Sequence, residues 1–284
     1  MTDLELSQAI EDVLVARNLR NMRAAQAALT PGYYLRAANY LKGISGAVII
    51  GTGFPVDDTF ETDGPVGAIA LYDTLKALGA DPWLACAPPL SVALAQDYQV
   101  LELRAPDLAA AKIEAAENIA ALKPAAIISI ERPGLTEDGC YYNMRGENIT
   151  ARCGFFDPYM QAAGCPTIAI GDGGNEIGMG NIAREISELD INVAVTRCDE
   201  LLVADVSNWG AYGLISFLGL WAGSDLLAAL SPPAILDYLS KKGSVDGVTR
   251  KNTTTEDGLP ASEGYSVIEE LQQLTASRSS HSPD

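Results

Sequence analysis

Three short runs of branched apolar residues end abruptly in polar or glycine-rich sequence, and this pattern limits the folds that the chain can adopt. The runs lie at 47–50, 125–130 and 167–170. Continuous apolar runs of this length are typical of strands that are buried on both faces of a parallel sheet. Helical patterns separate them, so the sequence predicts an α/β fold: a mainly parallel β-sheet with helices on both faces, in a Rossmann-like three-layer sandwich.

Capping signals and periodicity place the remaining elements around these strands. Thr2 and Glu5 form a capping-box pattern that opens the first predicted helix, and Pro65 opens another. We expect a single domain over 1–276, followed by a disordered polar tail at 277–284. The predicted helices span about 3–28, 31–42, 65–78, 89–96, 106–122, 178–188, 207–230 and 261–276, and the other extended segments span about 82–87, 99–103, 192–195 and 201–204.

The chain is strongly acidic, which excludes one large class of partners. Its 284 residues include 37 Asp and Glu and 19 Lys and Arg, for a net charge of −18. Such a surface repels phosphate backbones, so we expect no nucleic-acid binding. No apolar run reaches the roughly 18 residues of a membrane span, and the acidic N-terminal sequence resembles neither a signal nor a transit peptide. We therefore expect a cytoplasmic protein without membrane attachment. The sequence leaves open whether the protein forms a homo-oligomer.

Histidine and cysteine usage excludes several kinds of catalytic site. The only histidine, His281, lies in the polar tail, which excludes Ser-His-Asp hydrolysis and most His-ligated metal sites. The five cysteines contain no CxxC pair, and their number is odd. We expect reduced cysteines that behave as small apolar residues, and neither a disulfide scaffold nor a zinc site. Carboxylates would then have to perform any acid–base catalysis.

The polar sequence after each apolar run is the best candidate for a functional site. Ligands of open α/β sheets bind beyond the carboxyl ends of the strands, where the loops converge. Three such loops follow the strands here, at 51–64, 131–152 and 171–181. We therefore predict a composite site that all three loops build. A further candidate, Asn208, could either cap the helix that follows it or contact a substrate.

The first loop offers two kinds of ligand-binding group. Gly51, Thr52 and Gly53 could leave backbone N–H groups free to bind an anion, although a tight turn after a strand would also explain them. Carboxylates follow in close succession, and they could bind a divalent cation, Mn²⁺ or Mg²⁺, or remain solvated as an ordinary charged loop. The predicted metal ligands are Asp58, Glu61 and Asp63.

The second loop concentrates arginines in an otherwise acidic chain. Arg132, Arg145 and Arg152 could bind a carboxylate through their guanidinium forks, or they could pair with neighbouring glutamates and hold the loop. Asn143 and Asn148 lie among them in the sequence. We predict that Arg132, Arg145 and the two asparagines contact a small anionic substrate.

The third loop combines glycines with polar side chains. Five glycines fall within ten residues, with Asp172, Asn175 and Glu176 among them. This density predicts positive φ angles or the close approach of a ligand to the main chain. Helix capping would explain the polar side chains but not the glycines. We predict that Asp172, Asn175 and Glu176 are catalytic and that Gly173 and Gly174 contact the substrate.

Taken in order, these motifs resemble those of a known family. They are GTGFP at 51–55, ETDGP at 61–65, ERPG at 131–134, NMRGENI at 143–149, GDGGNEIGMGN at 171–181 and SNWG at 207–210. From about residue 10 to 275 the chain resembles the D-glutamate cyclase C-terminal domain family, which is also described as a domain of unknown function in bacterial proteins. The long glycine-rich string is specific, and the shorter strings matter mainly by their order.

The resemblance implies a carbon–oxygen lyase (a hydro-lyase) that closes D-glutamate to 5-oxo-D-proline and releases water. Its substrate would be a small anionic amino acid. Lactam closure needs a base for the amine, stabilisation of the carboxyl oxygen and a folded substrate, which carboxylates, backbone N–H groups or a cation, and arginines can provide. Two alternatives remain open: a metal-dependent enzyme that handles nucleotides or phosphates, and a non-catalytic small-molecule-binding module.

Overall fold

The computed structural model describes residues 1–279 of the chain. Its strands are, in chain order, β1 (Gly46–Thr52), β2 (Pro55–Val56), β3 (Thr59–Phe60), β4 (Ala80–Cys86), β5 (Val100–Glu102), β6 (Ala126–Ile130), β7 (Thr167–Gly171), β8 (Glu200–Val203), β9 (Thr255–Glu256) and β10 (Leu259–Pro260). Six of them form one parallel sheet in the order β5-β4-β1-β6-β7-β8, and β2–β3 and β9–β10 form short antiparallel pairs. The predicted α/β three-layer fold is confirmed.

Helices cover the sheet on both faces. In chain order they are α1 (Asp3–Leu14), α2 (Met22–Ala28), α3 (Tyr33–Leu41), α4 (Pro65–Ala77), α5 (Leu90–Leu94), α6 (Leu108–Leu122), α7 (Asp157–Gln161), α8 (Ser207–Ala222), α9 (Pro232–Lys241) and α10 (Ala261–Ser279). One layer is built around α8, which contacts α1, α3, α4 and α10, whereas α6 packs with α7. None of these helices in residues 1–279 has the length and apolar character of a membrane span.

The strand order brings the candidate loops to one place. From β1 the chain adds β4 and β5 on one side, and it then places β6, β7 and β8 on the other side of β1. The strand order therefore reverses between β1 and β6, and the crevice outside the carboxyl ends of these strands is the usual ligand site of such a sheet. The loops after β1, β6 and β7 all leave the sheet at this edge.

The central strands are continuously apolar because both of their faces are covered. Every residue of β6 and β7 is buried, as is every residue of β1 after Gly46. Burial on both faces removes the alternation that a half-exposed strand would show. The predicted capping box is also confirmed, since Thr2 Oγ1 accepts the Glu5 N–H at 3.2 Å and the Glu5 carboxylate accepts the Thr2 N–H at 2.7 Å.

The single helix predicted over 3–28 is wrong in its middle. The chain leaves the helical path after α1 and makes a turn at 15–21 before α2 begins. Asn18 and Asn21 in this turn have left-handed φ angles of 54° and 61°. A right-handed helix cannot pass through residues in that region, and asparagine tolerates it better than most residues.

The helix predicted over 178–188 is also wrong. Only a short 3₁₀ turn and a series of irregular turns follow β7. The N–H groups of Gly178 and Gly180 both donate to the Thr196 carbonyl, at 2.9 and 3.2 Å, so they are not available to helical hydrogen bonds. The predicted extended segment 192–195 runs beside this loop and joins no strand of the sheet.

α8 is shorter than predicted, and α10 is longer. α8 ends before Gly223, whose left-handed φ of 68° terminates the helix that we expected to continue to about residue 230. The separate helix α9 follows, and the sequence did not predict it. α10 continues through Ser279, so the predicted tail is helical at 277–279, while 280–284 lies outside the described residues.

Gly67 lets α4 and α8 pack at close range. A Cβ atom at this position would lie 2.8 Å from the Asn208 Cα atom and 3.1 Å from the Ala211 Cβ atom. We expect Gly67→Ala to destabilise the protein by about 1–3 kcal/mol, in spite of the better helix propensity of alanine. Thermal unfolding should show this as a Tm several degrees lower, at roughly 2–4 °C per kcal/mol.

Gly164→Ala is the matched control for this prediction. Gly164 is exposed, and an added Cβ atom would meet nothing within 4 Å. Its substitution should leave the Tm unchanged. Equal Tm values for the two variants would contradict the close packing of α4 against α8.

Candidate active site

A cavity of about 240 Å³ opens at the carboxyl edge of the sheet, where the three candidate loops meet. Its volume lies below the roughly 300–1,000 Å³ of pockets for drug-sized ligands, so it suits a small metabolite. The charged side chains of its wall fall into two groups. The acidic residues are Asp57, Glu61, Glu131, Asp172, Glu176 and Asp257, and the arginines are Arg20, Arg145, Arg152 and Arg250.

Asp63 lies beside this cavity at the start of two helices. Its Oδ1 accepts the N–H groups of Gly64 and Asn208, both at 2.8 Å, and its Oδ2 accepts the Ser207 N–H at 3.0 Å. Ser207 and Asn208 open α8, and Gly64 precedes α4, so the positive ends of both helices face this carboxylate. Backbone groups therefore fix Asp63 without a side-chain cation.

Asp63, Glu131 and Asp172 form a triad of buried carboxylates. One ligand oxygen from each residue lies within 4.8 Å of the other two. Glu131 follows β6 directly and has a left-handed φ of 45°, a strained backbone conformation of the kind that clusters in functional sites. The Ser207 hydroxyl donates to Glu131 Oε2 at 2.6 Å. Three convergent oxygens of this type suit a hard divalent cation, so the triad could bind a metal.

The predicted metal ligands Asp58, Glu61 and Asp63 are only partly brought together. Asp63 belongs to the triad, and Glu61 is buried in the cavity wall close to it. Asp58 is exposed in the turn between β2 and β3 and lies outside the triad. The hairpin causes this separation, because its turn projects to solvent before the chain re-enters the protein. The other two oxygens of the triad come from Glu131 and Asp172, at the ends of other strands.

Arg20 and Asp257 are among the charged residues of the site that were not predicted. Arg20 Nη1 donates to Asp172 Oδ2 and to Asp257 Oδ2, each at 2.7 Å. The side chains of Asp172 and Asp257 are only 4% and 5% exposed, and that of Arg20 is 21% exposed. Arg20 is therefore the cation that compensates these two buried acids.

Burial beside like charges raises the pKa of most of these carboxyl groups. Burial, and next the charge of Asp257, raises the pKa of Asp63 to about 8. Burial and neighbouring carboxylates also raise the pKa of Glu131. Burial raises the pKa of Asp172, although Arg20 opposes the change. At Asp257 burial disfavours the ionised form as well, but Arg20 and hydrogen bonds outweigh it and lower the pKa.

Glu176 is held by the glycine-rich loop and lines the cavity. Its Oε2 accepts the Gly174 N–H at 2.7 Å, and burial raises its pKa. A Cβ atom on Gly173 would lie 2.7 Å from Glu176 Oε1, and Gly174 has a φ of 113°, which favours glycine. These glycines therefore make room for Glu176 and for the turn around it. Neither Gly173 nor Gly174 lines the cavity, so their predicted contact with a substrate stays a prediction.

Asn175 lies behind the loop and not on the cavity wall. Its side-chain Nδ2 donates to the Tyr142 carbonyl at 2.9 Å, and its backbone carbonyl accepts the Gly134 N–H at 2.9 Å. These bonds join the third loop to the second. These contacts give Asn175 a structural role, and its predicted catalytic role stays a prediction, whereas Asp172 and Glu176 both line the cavity.

In the first loop the carbonyl groups of Thr52 and Gly53 accept hydrogen bonds from Arg132 Nη1, at 3.0 and 3.2 Å. The predicted binding of an anion by the N–H groups of this loop stays a prediction. Arg132 Nη2 donates to the Gly154 carbonyl. Arg132 is buried and does not line the main cavity. This arginine holds loops together, and its predicted contact with a substrate stays a prediction.

Gly51 and Asn208, two further predicted substrate contacts, also serve packing. A Cβ atom on Gly51 would lie 2.2 Å from the Phe156 ring, so the glycine admits that ring against β1. Asn208 Oδ1 accepts the N–H groups of Gly64 and Gly67, at 2.9 and 2.7 Å, and thereby caps α4. Neither Gly51 nor Asn208 lines the cavity.

Two of the predicted groups in the second loop reach the cavity. Arg145 lines the mouth, where its Nη2 donates to the Val248 carbonyl at 3.3 Å. Asn143 lines the wall, and its Nδ2 donates to Glu147 at 2.6 Å. Asn148 is exposed outside the cavity, and its Oδ1 accepts an N–H group of its own loop. Asn148 therefore shapes the loop.

Two more arginines contact Asp57 at the cavity mouth. Arg152 Nη1 donates to the Asp57 carbonyl at 2.8 Å, and Arg250 Nη1 pairs with Asp57 Oδ1 at 3.0 Å. Together with Arg145 they make the mouth positive, while the floor is acidic. The cavity can therefore accept a ligand that carries both signs of charge.

Fold and site together define a three-layer α/β protein with a pocket of buried carboxylates at the switch point of its sheet. The model of the D-glutamate cyclase-like C-terminal family matches residues 10–272, and the chain belongs to this family. It is similar to the human protein "D-glutamate cyclase, mitochondrial", with 34% identity over 195 residues. That alignment covers 59% of this chain but only 32% of the human protein, so the similarity concerns about a third of the relative's length.

The raised carboxyl pKa values make the stability of the metal-free protein depend on pH. Asp63 has a pKa of about 8 when folded, against an ordinary value of 3.8, so the folded state holds this proton more tightly than the unfolded state. The corresponding stability is fully present below about pH 4 and is lost as pH rises to about 8. We expect chelator-treated protein to have a lower Tm at pH 8 than at pH 6, with a weaker dependence in Asp63→Asn. An identical dependence in that variant would contradict the raised pKa.

Mn²⁺ affinity distinguishes the triad from the metal site predicted by sequence. Glu131→Gln and Asp172→Asn should each weaken Mn²⁺ binding by more than the roughly 10–100-fold typical of groups that only support a ligand. Asp58→Asn should leave the affinity unchanged, because Asp58 lies outside the triad. Isothermal titration calorimetry measures all three. A loss confined to Asp58→Asn would favour the sequence-based set instead.

Proposed function

We propose that this protein is a carbon–oxygen lyase that converts D-glutamate to 5-oxo-D-proline with loss of water. One observation carries the proposal: a small cavity with an acidic floor and an arginine-lined mouth occurs in a chain of the D-glutamate cyclase-like family. D-Glutamate has one ammonium group and two carboxylates, so its charges complement both parts of the wall.

The charges of the cavity favour one orientation of this substrate. The ammonium group is attracted to the acidic floor, which includes Glu61 and Glu176, and the α-carboxylate is attracted to Arg145 and Arg152 at the mouth. The γ-carboxylate must then fold back towards the floor to meet the amine. Holding the substrate in this folded form removes most of the entropy cost of ring closure.

Lactam closure forms one C–N bond and breaks one C–O bond. The amine nitrogen attacks the γ-carboxyl carbon, and the tetrahedral intermediate loses one oxygen as water. Two protons leave the ammonium nitrogen, and the departing oxygen receives two, so the reaction needs no external acid, base or oxidant in net terms. A single carboxyl group that takes and then gives a proton can serve both transfers.

Glu176 is the best-placed group for these proton transfers. It lines the cavity, and burial raises its pKa, which brings proton exchange closer to neutral pH. The Gly174 N–H holds Oε2 and thereby orients the carboxyl group. Asp172, the other predicted acid–base residue, belongs to the triad and pairs with Arg20, so we assign it to metal binding.

We propose a divalent cation, Mn²⁺ or Mg²⁺, as the cofactor, bound by Asp63, Glu131 and Asp172. The donor set fits, because three buried carboxylates converge and, among residues 1–279, only Asp172 of the three forms an ion pair, with Arg20. When bound, such a cation acts as a Lewis acid on a carboxyl oxygen. The protein fixes the three oxygens through the starts of α4 and α8 and through Arg20.

Two alternative functions predict different results in simple assays. A nucleotide- or phosphate-handling enzyme would gain thermal stability from nucleotide with Mg²⁺ and none from D-glutamate. A non-catalytic binding module would bind D-glutamate without forming product. Incubation with D- and L-glutamate, with and without Mn²⁺ or Mg²⁺, followed by an assay for 5-oxoproline, separates these functions from the lyase. Absence of product under every condition would rule out the proposed reaction.

The role of Glu176 gives a second test. Glu176→Gln keeps the shape of the side chain and an acceptor for the Gly174 N–H, but it cannot take a proton. We expect kcat for 5-oxoproline formation to fall by about 10²–10⁴-fold with little change in Tm. Glu137→Gln is the control, because Glu137 is exposed in the second loop away from the cavity, and it should keep full activity. Full turnover by a folded Glu176→Gln variant would disprove the assigned role.

A further inference from the structure

Arg20 reaches the cavity from a turn that the protein fixes independently of Arg20 itself. Asp205, which is fully buried after β8, accepts the N–H of Arg17 at 2.7 Å and that of Leu19 at 3.2 Å. The Arg17 guanidinium pairs with Glu263 at 2.8 Å. The turn between α1 and α2 is therefore attached to the carboxyl edge of the sheet, and it presents Arg20 at a fixed point.

The contacts of Arg20 leave most of its donors for a ligand. Nη1 supplies both bonds to Asp172 and Asp257, and within residues 1–279 no acceptor lies at Nε or Nη2. Three of the five N–H donors of the guanidinium therefore remain. Arg20 lines the cavity, and 21% of its side chain is exposed. A lysine would compensate the charges of Asp172 and Asp257 as well. The two adjacent free nitrogens of the arginine, in contrast, suit the two oxygens of a carboxylate.

We infer that Arg20 contacts the substrate and recognises the γ-carboxylate of D-glutamate, an inference that rests on the proposed function. The arginines of the mouth, Arg145 and Arg152, are available to the α-carboxylate. Arg20 instead bonds Asp172 of the triad, so it lies where the γ-carboxylate must fold for closure. Its free donors bind a γ-carboxyl oxygen and hold it while the amine adds to the carbon and negative charge grows on that oxygen.

This contact makes Arg20 a determinant of substrate class. A D-amino acid of the same length without a γ-carboxylate leaves the free donors of Arg20 unpaired in a partly buried site. Sites built to bond a charged group discriminate strongly against analogues that lack it. The cavity should therefore select dicarboxylic amino acids, and the selection should depend on the guanidinium fork and not only on its charge.

Two variants and two ligands that cannot cyclise test the inference. Arg20→Lys keeps a positive charge beside Asp172 and Asp257 but removes the fork, and Arg20→Gln provides a second variant if the first folds poorly. Arg23→Lys is the matched control, because Arg23 lies near the same turn and donates only to backbone carbonyls. Glutarate has both carboxylates without the amine, and D-norvaline has the length of glutamate without the γ-carboxylate. Calorimetry with Mn²⁺-loaded protein measures both affinities.

We expect Arg20→Lys to weaken glutarate binding by about 10–100-fold and to leave D-norvaline binding unchanged. The kcat for D-glutamate should fall by about 10²–10³-fold. Arg23→Lys should alter none of these values. Equal weakening of both ligands, or unchanged glutarate binding in a folded variant, would overturn the inference. If the wild-type protein makes no 5-oxoproline while Arg20→Lys still loses glutarate selectively, the proposed function fails and the carboxylate contact stands.

Discussion

The burial of several carboxylates at one edge of a parallel sheet is the constraint on which the rest of this structure depends. An uncompensated buried charge is very costly, so each acid needs a specific partner. Asp63 receives three backbone N–H groups from the starts of α4 and α8. Asp172 and Asp257 share Arg20, and Glu176 receives the N–H of Gly174. The starts of α4 and α8, the N-terminal turn and the glycine-rich loop therefore all supply partners to these acids.

The same arrangement explains why the site suits chemistry without histidine. Burial raises the pKa of the Glu176 carboxyl, which brings its proton exchange closer to neutral pH. The convergent oxygens of Asp63, Glu131 and Asp172 suit a divalent cation. The arginines of the cavity wall lie at its mouth and at Arg20. Acidic floor and basic mouth together match a zwitterionic dicarboxylate.

The sequence predicted the sheet and the place of the site because both depend on local patterns. Continuous apolar runs identified β1, β6 and β7, and strand-end loops identified the crevice. The roles of individual residues were harder to predict, since they depend on contacts with residues that are distant in the sequence. Gly51 admits an aromatic ring, and Arg132 fastens carbonyl groups, although both matched patterns for ligand binding.

Arg20 and Asp257 could not have been found by the same reasoning. Arg20 lies inside a segment that the sequence predicts as one long helix, and the left-handed Asn18 and Asn21, together with the bonds to Asp205, turn it towards the site. Asp257 comes from a mixed segment that follows no strand of the central sheet. Arg20 and Asp257 are each more than 80 residues from Asp172 in the sequence. No motif spacing predicts contacts between residues so far apart.

A crystal structure with Mn²⁺ and glutarate would test the central claim most directly, because glutarate has both carboxylates of the proposed substrate and cannot cyclise. The anomalous difference map should show Mn²⁺ at about 2.0–2.3 Å from oxygens of Asp63, Glu131 and Asp172, as expected for a small divalent cation. Glutarate should place one carboxylate at Arg145 or Arg152 and the other at Arg20. A metal peak at the exposed Asp58, or a ligand bound outside this cavity, would contradict the account.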